Sequence, residues 1–178
     1  MANKFSKASL GLGSGLLNEK SKELATNEFK ITYISINDII ENEKNDGFSM
    51  EEIEDLKISI LEVGLEQNLV VKELGNGKYK LLSGHRRFRA LQELVNAGND
   101  KFKNIPCVIK NLAKIDLPLD EEFKELYAIA TTNAEVRKNT PADLKKLMEM
   151  LSKVYDKLKE NGYKNLGKRR DYLADKLG

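Results

Sequence analysis

Leu81-Leu82-Ser83-Gly84-His85-Arg86-Arg87-Phe88-Arg89-Ala90 is the stretch from which the rest of the chain can be read. An apolar pair closes a strand, a small residue and a glycine follow, and a helix starts at once with three arginines in its first two turns. The first amides of a helix have no intrahelical acceptor and the helix dipole is positive there, so this end attracts an anion; a glycine lets a phosphate approach the backbone. Cations at that end oppose the dipole by about 0.3–1 kcal/mol each, which is unfavourable unless an anion compensates. Arg86 and Arg87 would add forked, charge-assisted donors. A solvated helix face accounts for the arginines less well than a phosphate cradle does.

Working outward, two β-type runs precede the cradle, Leu69 to Leu74 and Lys78 to Leu82. Gly75-Asn76-Gly77 between them tolerates the positive φ of a tight hairpin. Further upstream, Ser49 and Glu52 have capping-box spacing, and Ile53, Leu56, Ile60 and Leu61 continue a helical period to Gly64. Ile31, Tyr33 and Ile34 predict a strand that leaves through Ile36 to Ile39. Downstream, residues 85–97 form a helix with Phe88, Leu91, Leu94 and Val95 inward, and 105–110 a strand. Phe123, Leu126, Tyr127 and Ala130 predict a helix over 121–134. Thr140-Pro141 caps a long one whose stripe is Leu144, Leu147, Met148, Leu151, Val154, Tyr155 and Leu158, with Gly162 as its stop and a last helix from Arg169 to Leu177. The pattern is α+β to about residue 112 and helical from 113 to 178.

With 30 basic and 28 acidic residues among 178, and a net charge of +2, the chain has no uniformly cationic surface, so any contact with DNA must be local. The single cysteine, Cys107, lies in the apolar run Ile105-Pro106-Cys107-Val108-Ile109. That excludes a disulfide framework or a cysteine metal cluster and suits a reducing, cytoplasmic setting. Residues 1–28, rich in Gly, Ser, Asn, Lys and Glu, read as a flexible arm; Gly11, Gly13 and Gly15 break its apolar stretches, so neither a signal sequence nor a membrane span is expected.

In order and spacing, three stretches resemble the N-terminal domain of ParB-type partition proteins: Gly64-Leu65-Glu66-Gln67-Asn68-Leu69-Val70-Val71, Gly77 to Ala90, and Ile105 to Ile109. The resemblance extends over about residues 29–178. It implies a small mixed-sheet α+β domain of the ParB/sulfiredoxin type at 29–112, then a helical region. It implies a pocket for CTP with magnesium, slow nucleotide turnover at most, and a homodimer that closes on DNA in a plasmid or chromosome partition system at the nucleoid. The cradle motif carries over onto Gln67, Ser83, Gly84, His85, Arg86 and Arg87. The family's Glu-Asn-x-x-Arg stretch is matched by Asn133, Glu135 and Arg137, with four residues from Asn133 to Arg137 where the family has three. Arg137 would reach a phosphate, and Asn133 and Glu135 would offer oxygens to magnesium.

Two substitutions depart from the family pattern: His85 stands for its glutamate and Asn68 for its proline, and the first leaves hydrolysis and metal handling open. Leu10 to Leu17, beside Lys4 and Lys7, resembles the peptide that contacts the partner ATPase, ParA. Lys168 to Gly178 resembles the first helix of a helix-turn-helix, with Ala174 and Leu177 turned to a partner helix and Gly178 in the turn; Lys164, Lys168, Arg169 and Arg170 would touch the DNA backbone. On this reading the chain is shortened, and the recognition helix would follow it. The alternatives are a nucleotide-dependent phosphotransferase of the same superfold and a ParB-like nuclease. Sulfiredoxin chemistry needs a cysteine where Gly84 stands, and no carboxylate cluster has two-metal spacing.

Overall fold

The computed structural model describes residues 30–46, 48, 52–135 and 139–177. The arm at 1–28, the cap at Ser49, the phosphate contact at Arg137 and the turn at Gly178 lie outside the described residues. The strands are β1 (Ile31–Ser35), β2 (Ile39–Ile40), β3 (Leu69–Gly75), β4 (Lys78–Ser83) and β5 (Asn104–Ile109), side by side in the order β1-β5-β3-β4-β2. β1 runs antiparallel to β5 and β3 antiparallel to β4, whereas β5–β3 and β4–β2 are parallel. The sheet is therefore mixed, as expected. The helices are α1 (Ile53–Val63), α2 (His85–Asn96), α3 (Glu121–Ala134), α4 (Pro141–Glu160) and α5 (Arg169–Leu177).

Side chains alternate across a strand, and β4 uses both faces. Leu81 joins Ile34, Leu69, Val71, Ile105 and Cys107 on the face covered by Ile60 of α1 and by Phe88, Leu91 and Leu94 of α2. Leu82 points the other way, onto Ala128 and Ile129 of α3 and Leu147 and Leu151 of α4. Both leucines are fully buried, so β4 is clamped between two layers, and Gly84 leads from its end directly into α2. The hairpin forms as the glycines predict: Asn76 and Gly77 have φ of 53° and 71°.

Four details differ from the sequence reading. α1 starts at Ile53, and Glu52 stands immediately before it at φ 61° rather than inside its first turn. The stripe of α4 is rotated: Leu144 and Met148 lie on its exposed shoulder and Met150 is buried in their place. β2 carries too few residues to show an alternation and is held by parallel pairing of Ile39 and Ile40 with Tyr79 and Lys80. On β1, Ile31 and Tyr33 are exposed while Ile34 alone of the expected trio is buried. The Thr140 cap holds, closed reciprocally by Asp143: its amide donates to Thr140 Oγ1 at 3.1 Å and its carboxylate accepts from Thr140 N at 3.0 Å.

Candidate nucleotide-binding site

Gly84 is the hinge of the site. Its φ is 97°, in the left-handed region, and a Cβ there would lie 2.5 Å from Leu69 Cδ2. Only glycine lets β4 turn into α2 this close to the start of β3. The first bond inside the turn runs from Phe88 N to Gly84 O, and among the described residues no side chain caps the helix, so the amides of its first turn have no protein acceptor there. Behind them, buried Ser83 donates to Asn133 Oδ1 at 3.1 Å, and Asn133 donates to Ile129 O at 2.8 Å. Two residues separated by 50 positions, each expected at the site, are thus joined across β4 and α3.

The two arginines that look equivalent in the sequence do different things. Arg86 extends to an exposed carboxylate, Glu52, at 3.2 Å. Arg87 turns inward and donates to the carbonyls of Gln67 and Asn68 at 2.7 and 3.1 Å, and burial lowers its guanidinium below the usual arginine value. With Leu56, Ile60, Leu65 and Gln67 it lines a cavity of about 190 Å³ between α1 and the start of β3. Gln67 contributes its main chain to that contact, while its side chain is exposed.

His85 is anchored by a residue the sequence reading missed. Its Nε2 lies 2.8 Å from Glu41 Oε2, and Arg89 grips the same carboxylate with Nε at 3.2 Å and Nη2 at 3.0 Å. Burial opposes ionisation of Glu41, but the bonds from Arg89 and His85 outweigh it and hold the carboxyl below the usual range. The His85 side chain is 9% exposed and its Nδ1 is buried, with no hydrogen-bond partner among the described residues. Glu41 stands 44 residues before His85 with no spacing relation to it, so only the parallel seating of β2 on β4 brings the two together.

A second unforeseen cluster locks α3 to the sheet. Glu125 is almost fully buried and is met by Lys72 of β3, by Lys80 of β4 at 3.2 Å and by Lys44 at 3.7 Å, while Asn42 donates to it at 3.0 Å. Burial alone would raise its carboxyl; Lys72, Asn42 and Lys80 bring it down to about 2. Because α3 ends at Ala134, this lock sets where Asn133 meets Ser83.

Glu135 follows α3 and is exposed. No group of three His, Cys, Asp or Glu suited to a metal occurs among the described residues. Magnesium commonly takes one or two protein oxygens and completes its shell with phosphate and water, and Asn133 and Glu135 fit that donor set. Cys107 is buried, its thiol pushed up to about 12 by burial, which leaves it no nucleophilic character. At the far end, Lys164, Lys168, Arg169 and Arg170 are all exposed. Arg169 is held by Asp156 over the Tyr155 ring, and Arg170 contacts Asp171 at 3.4 Å. α5 docks through Tyr172, Leu173 and Leu177, and Ala174 is exposed. No helix among the described residues is long and apolar enough to cross a membrane.

The chain is 30% identical over 150 residues to the nucleoid occlusion protein of Geobacillus kaustophilus (strain HTA426), covering 83% of this chain and 48% of that protein. It is 31% identical over 134 residues to the probable chromosome-partitioning protein ParB of Chlamydia muridarum (strain MoPn / Nigg), covering 73% and 43%. Among solved structures it is similar to the C-terminally truncated chromosome-partitioning protein ParB from Caulobacter crescentus complexed with CTP-gamma-S, at 24% identity, 83% and 77% coverage and a TM-score of 0.43. The chain spans about half the length of the curated relatives it matches. Residues 19–117, which include the whole β4–α2 cradle, match the family described as the ParB N-terminal domain, and the chain belongs to that family.

Proposed function

We propose that this chain is the nucleotide-sensing part of a DNA-partition or nucleoid-occlusion protein, in which CTP acts as the switch for a dimeric clamp on DNA. The observation that carries the reading is the uncapped start of α2 after Gly84, backed by the Ser83–Asn133 bond, in a chain of the ParB N-terminal domain family. The triphosphate would sit on the first amides of α2, where dipole and free N–H groups favour an anion. Arg86 would leave Glu52 for a phosphate oxygen; an exposed ion pair is worth about 0–1 kcal/mol, so the exchange costs little. Arg87 would act from behind, pinning Gln67 and Asn68 so that the start of β3 forms a wall of the pocket. Asn133 and Glu135 would hold magnesium, which when bound screens the phosphate charge, and Arg137 would complete the contact.

Filling the site pulls on α3 through Asn133. A helix shared between the nucleotide and a second hydrophobic layer suits a switch that brings two copies together on CTP binding. DNA contact belongs to the exposed basic approach to α5, with Lys164, Lys168 and Arg170 as backbone contacts, and the ParA-type ATPase to the arm at 1–28. Calorimetric titration of CTP, UTP, ATP and GTP, each with magnesium, tests the reading. CTP alone is expected to bind measurably; equal binding of all four, or of none, overturns it.

A further inference from the structure

We propose that the outward face of α1 is a docking surface for a basic amphipathic helix of a protein partner. α1 is held on the core by Ile60, with Ile53 and Leu56 packed beside it. Successive helix positions turn by about 100°, so Ile58, two residues from both Leu56 and Ile60, lies on the opposite side. It is 55% exposed, and Leu61, one turn further on, is 42% exposed although its spacing in the sequence groups it with the core residues. The folding of the helix accounts for neither. An outward helix position is ordinarily charged or polar, and a β-branched isoleucine is a poorer helix former than lysine, glutamate or glutamine. Val63, 66% exposed at the end of α1, extends the apolar surface toward Gly64. Isolated exposed aliphatic residues are common on any protein; neighbouring ones one turn apart on a single face make a patch.

The charges around the patch select its occupant. Glu54, Asp55 and Glu62 stand at i−4, i−3 and i+4 from Ile58, the spacings that put side chains on one helix face, and all three are exposed. Lys57 is the only cation on α1, and it is engaged by Glu54 and by Glu93 of α2, at 2.7 Å each. Among the described residues Asp55, Glu62 and the exposed Glu66 just beyond the helix have no ion-pair partner. The chain as a whole carries +2, so this acidity is local. Unpaired carboxylates repel the phosphates of DNA and of an anionic lipid surface; their complement is an apolar stripe edged by lysines or arginines. α1 has 11 residues, an axis of about 16 Å, which a partner helix of about three turns spans. So small a contact falls in the class of transient, salt-sensitive associations. Leu56 and Ile60, which line the Arg87 cavity, are on the far side of α1 from Ile58, so this surface does not rest on the nucleotide reading.

The probe is an Ala-rich peptide of about 18 residues, long enough to keep its own helix, with leucines along one face and arginines beside them. Its binding to the full chain is followed by fluorescence anisotropy and mapped by 15N amide shifts. Wild type is expected to bind it with shifts centred on α1, and with affinity falling several-fold as salt rises from about 0.05 to 0.2 M. The double variant Ile58→Ser/Leu61→Ser is expected to lose at least about tenfold in affinity. The double variant Asp55→Asn/Glu62→Lys is expected to lose the basic peptide and to bind a charge-reversed one, with glutamate for each arginine, better than wild type does. All four positions are exposed, so both variants should melt with wild type. Should either not fold, the peptides decide on wild type alone: neither the charge-reversed peptide nor a scrambled basic one should bind. No binding of the basic peptide, equal binding of the scrambled or charge-reversed one, unchanged affinity in Ile58→Ser/Leu61→Ser, or shifts centred away from α1 each overturns the proposal. So does a sedimentation mass that rises with concentration in wild type but not in Ile58→Ser/Leu61→Ser, which makes the occupant a second copy of this chain.

Discussion

Arg86 and Arg87 are adjacent and chemically identical, yet replacing each with alanine is expected to separate stability from binding. Arg87→Ala removes two charge-assisted hydrogen bonds, at 2.7 and 3.1 Å, to the carbonyls of Gln67 and Asn68. Hydrogen bonds to charged groups contribute about 1.5–3 kcal/mol each, and the freed carbonyls recover part of this from water because Gln67 is exposed. The net loss is then about 2–4 kcal/mol, or a Tm lower by roughly 5–15 °C for a domain of this size. Arg86→Ala removes only an exposed contact with Glu52 and is expected to cost under about 0.5 kcal/mol. Its CTP affinity, however, should drop at least tenfold. Urea titration followed by circular dichroism, with CTP titration of both folded variants, checks the pair. If Arg87→Ala melts with wild type, or if Arg86→Ala binds CTP as well as wild type does, the division of labour drawn here is wrong.

Glu125 predicts an acid limit to the fold. Its carboxyl lies near 2 instead of the ordinary 4.5, so its contribution, on the order of 3 kcal/mol, is complete above about pH 4.5 and is lost as pH falls toward 2. Unfolding free energies measured between pH 6 and 2.5 should fall through that window, and Glu125→Gln should be less stable at pH 6 with a flatter profile. Gly84→Ala forces a side chain into a left-handed φ at about 1–3 kcal/mol before the Leu69 contact is counted; thermal melts should show that loss, and CTP binding should fall with it. Replacing Lys164, Lys168 and Arg170 together by glutamine should leave the fold intact and reduce the slope of log K against log salt for duplex DNA by about 2–3, as expected for three lost phosphate contacts. An unchanged slope would place the DNA contacts elsewhere.

What the sequence made legible was local. The Gly75-Asn76-Gly77 hairpin, the Gly84 turn and the Thr140-Pro141 cap each depend on a residue whose conformational preference is decided within a few positions, and the structure has all three. Ser83 and Asn133 were legible through the family pattern, and they do meet. Glu41 and Glu125 were not, because neither stands at a telling distance from its partners. A carboxylate in a loop and one on a helix stripe look like ordinary surface charge until β2 and α3 are placed on the sheet. The division between Arg86 and Arg87 was hidden for a related reason, since successive helix positions differ by about 100° and only the packing of α1 and β3 decides which one turns inward. Glu52 shows the reverse error. Its spacing from Ser49 predicts a place in the first turn of α1, but it stands before that helix and pairs with Arg86.

The 2.8 Å contact between Glu41 and His85 also constrains how such a chain can change over generations. A glutamate at position 85, as the family pattern has it, would face Glu41 as a like charge in a largely enclosed place, and one of the two would have to give way. A chain that loses the acid at 41 would leave an imidazole without its anchor. Positions 41 and 85 are therefore expected to change together: lineages with an acid at 85 should carry a neutral or basic residue at 41, and an acid at 41 should accompany the histidine. Either single change alone would break the contact, so the pair should descend as a unit.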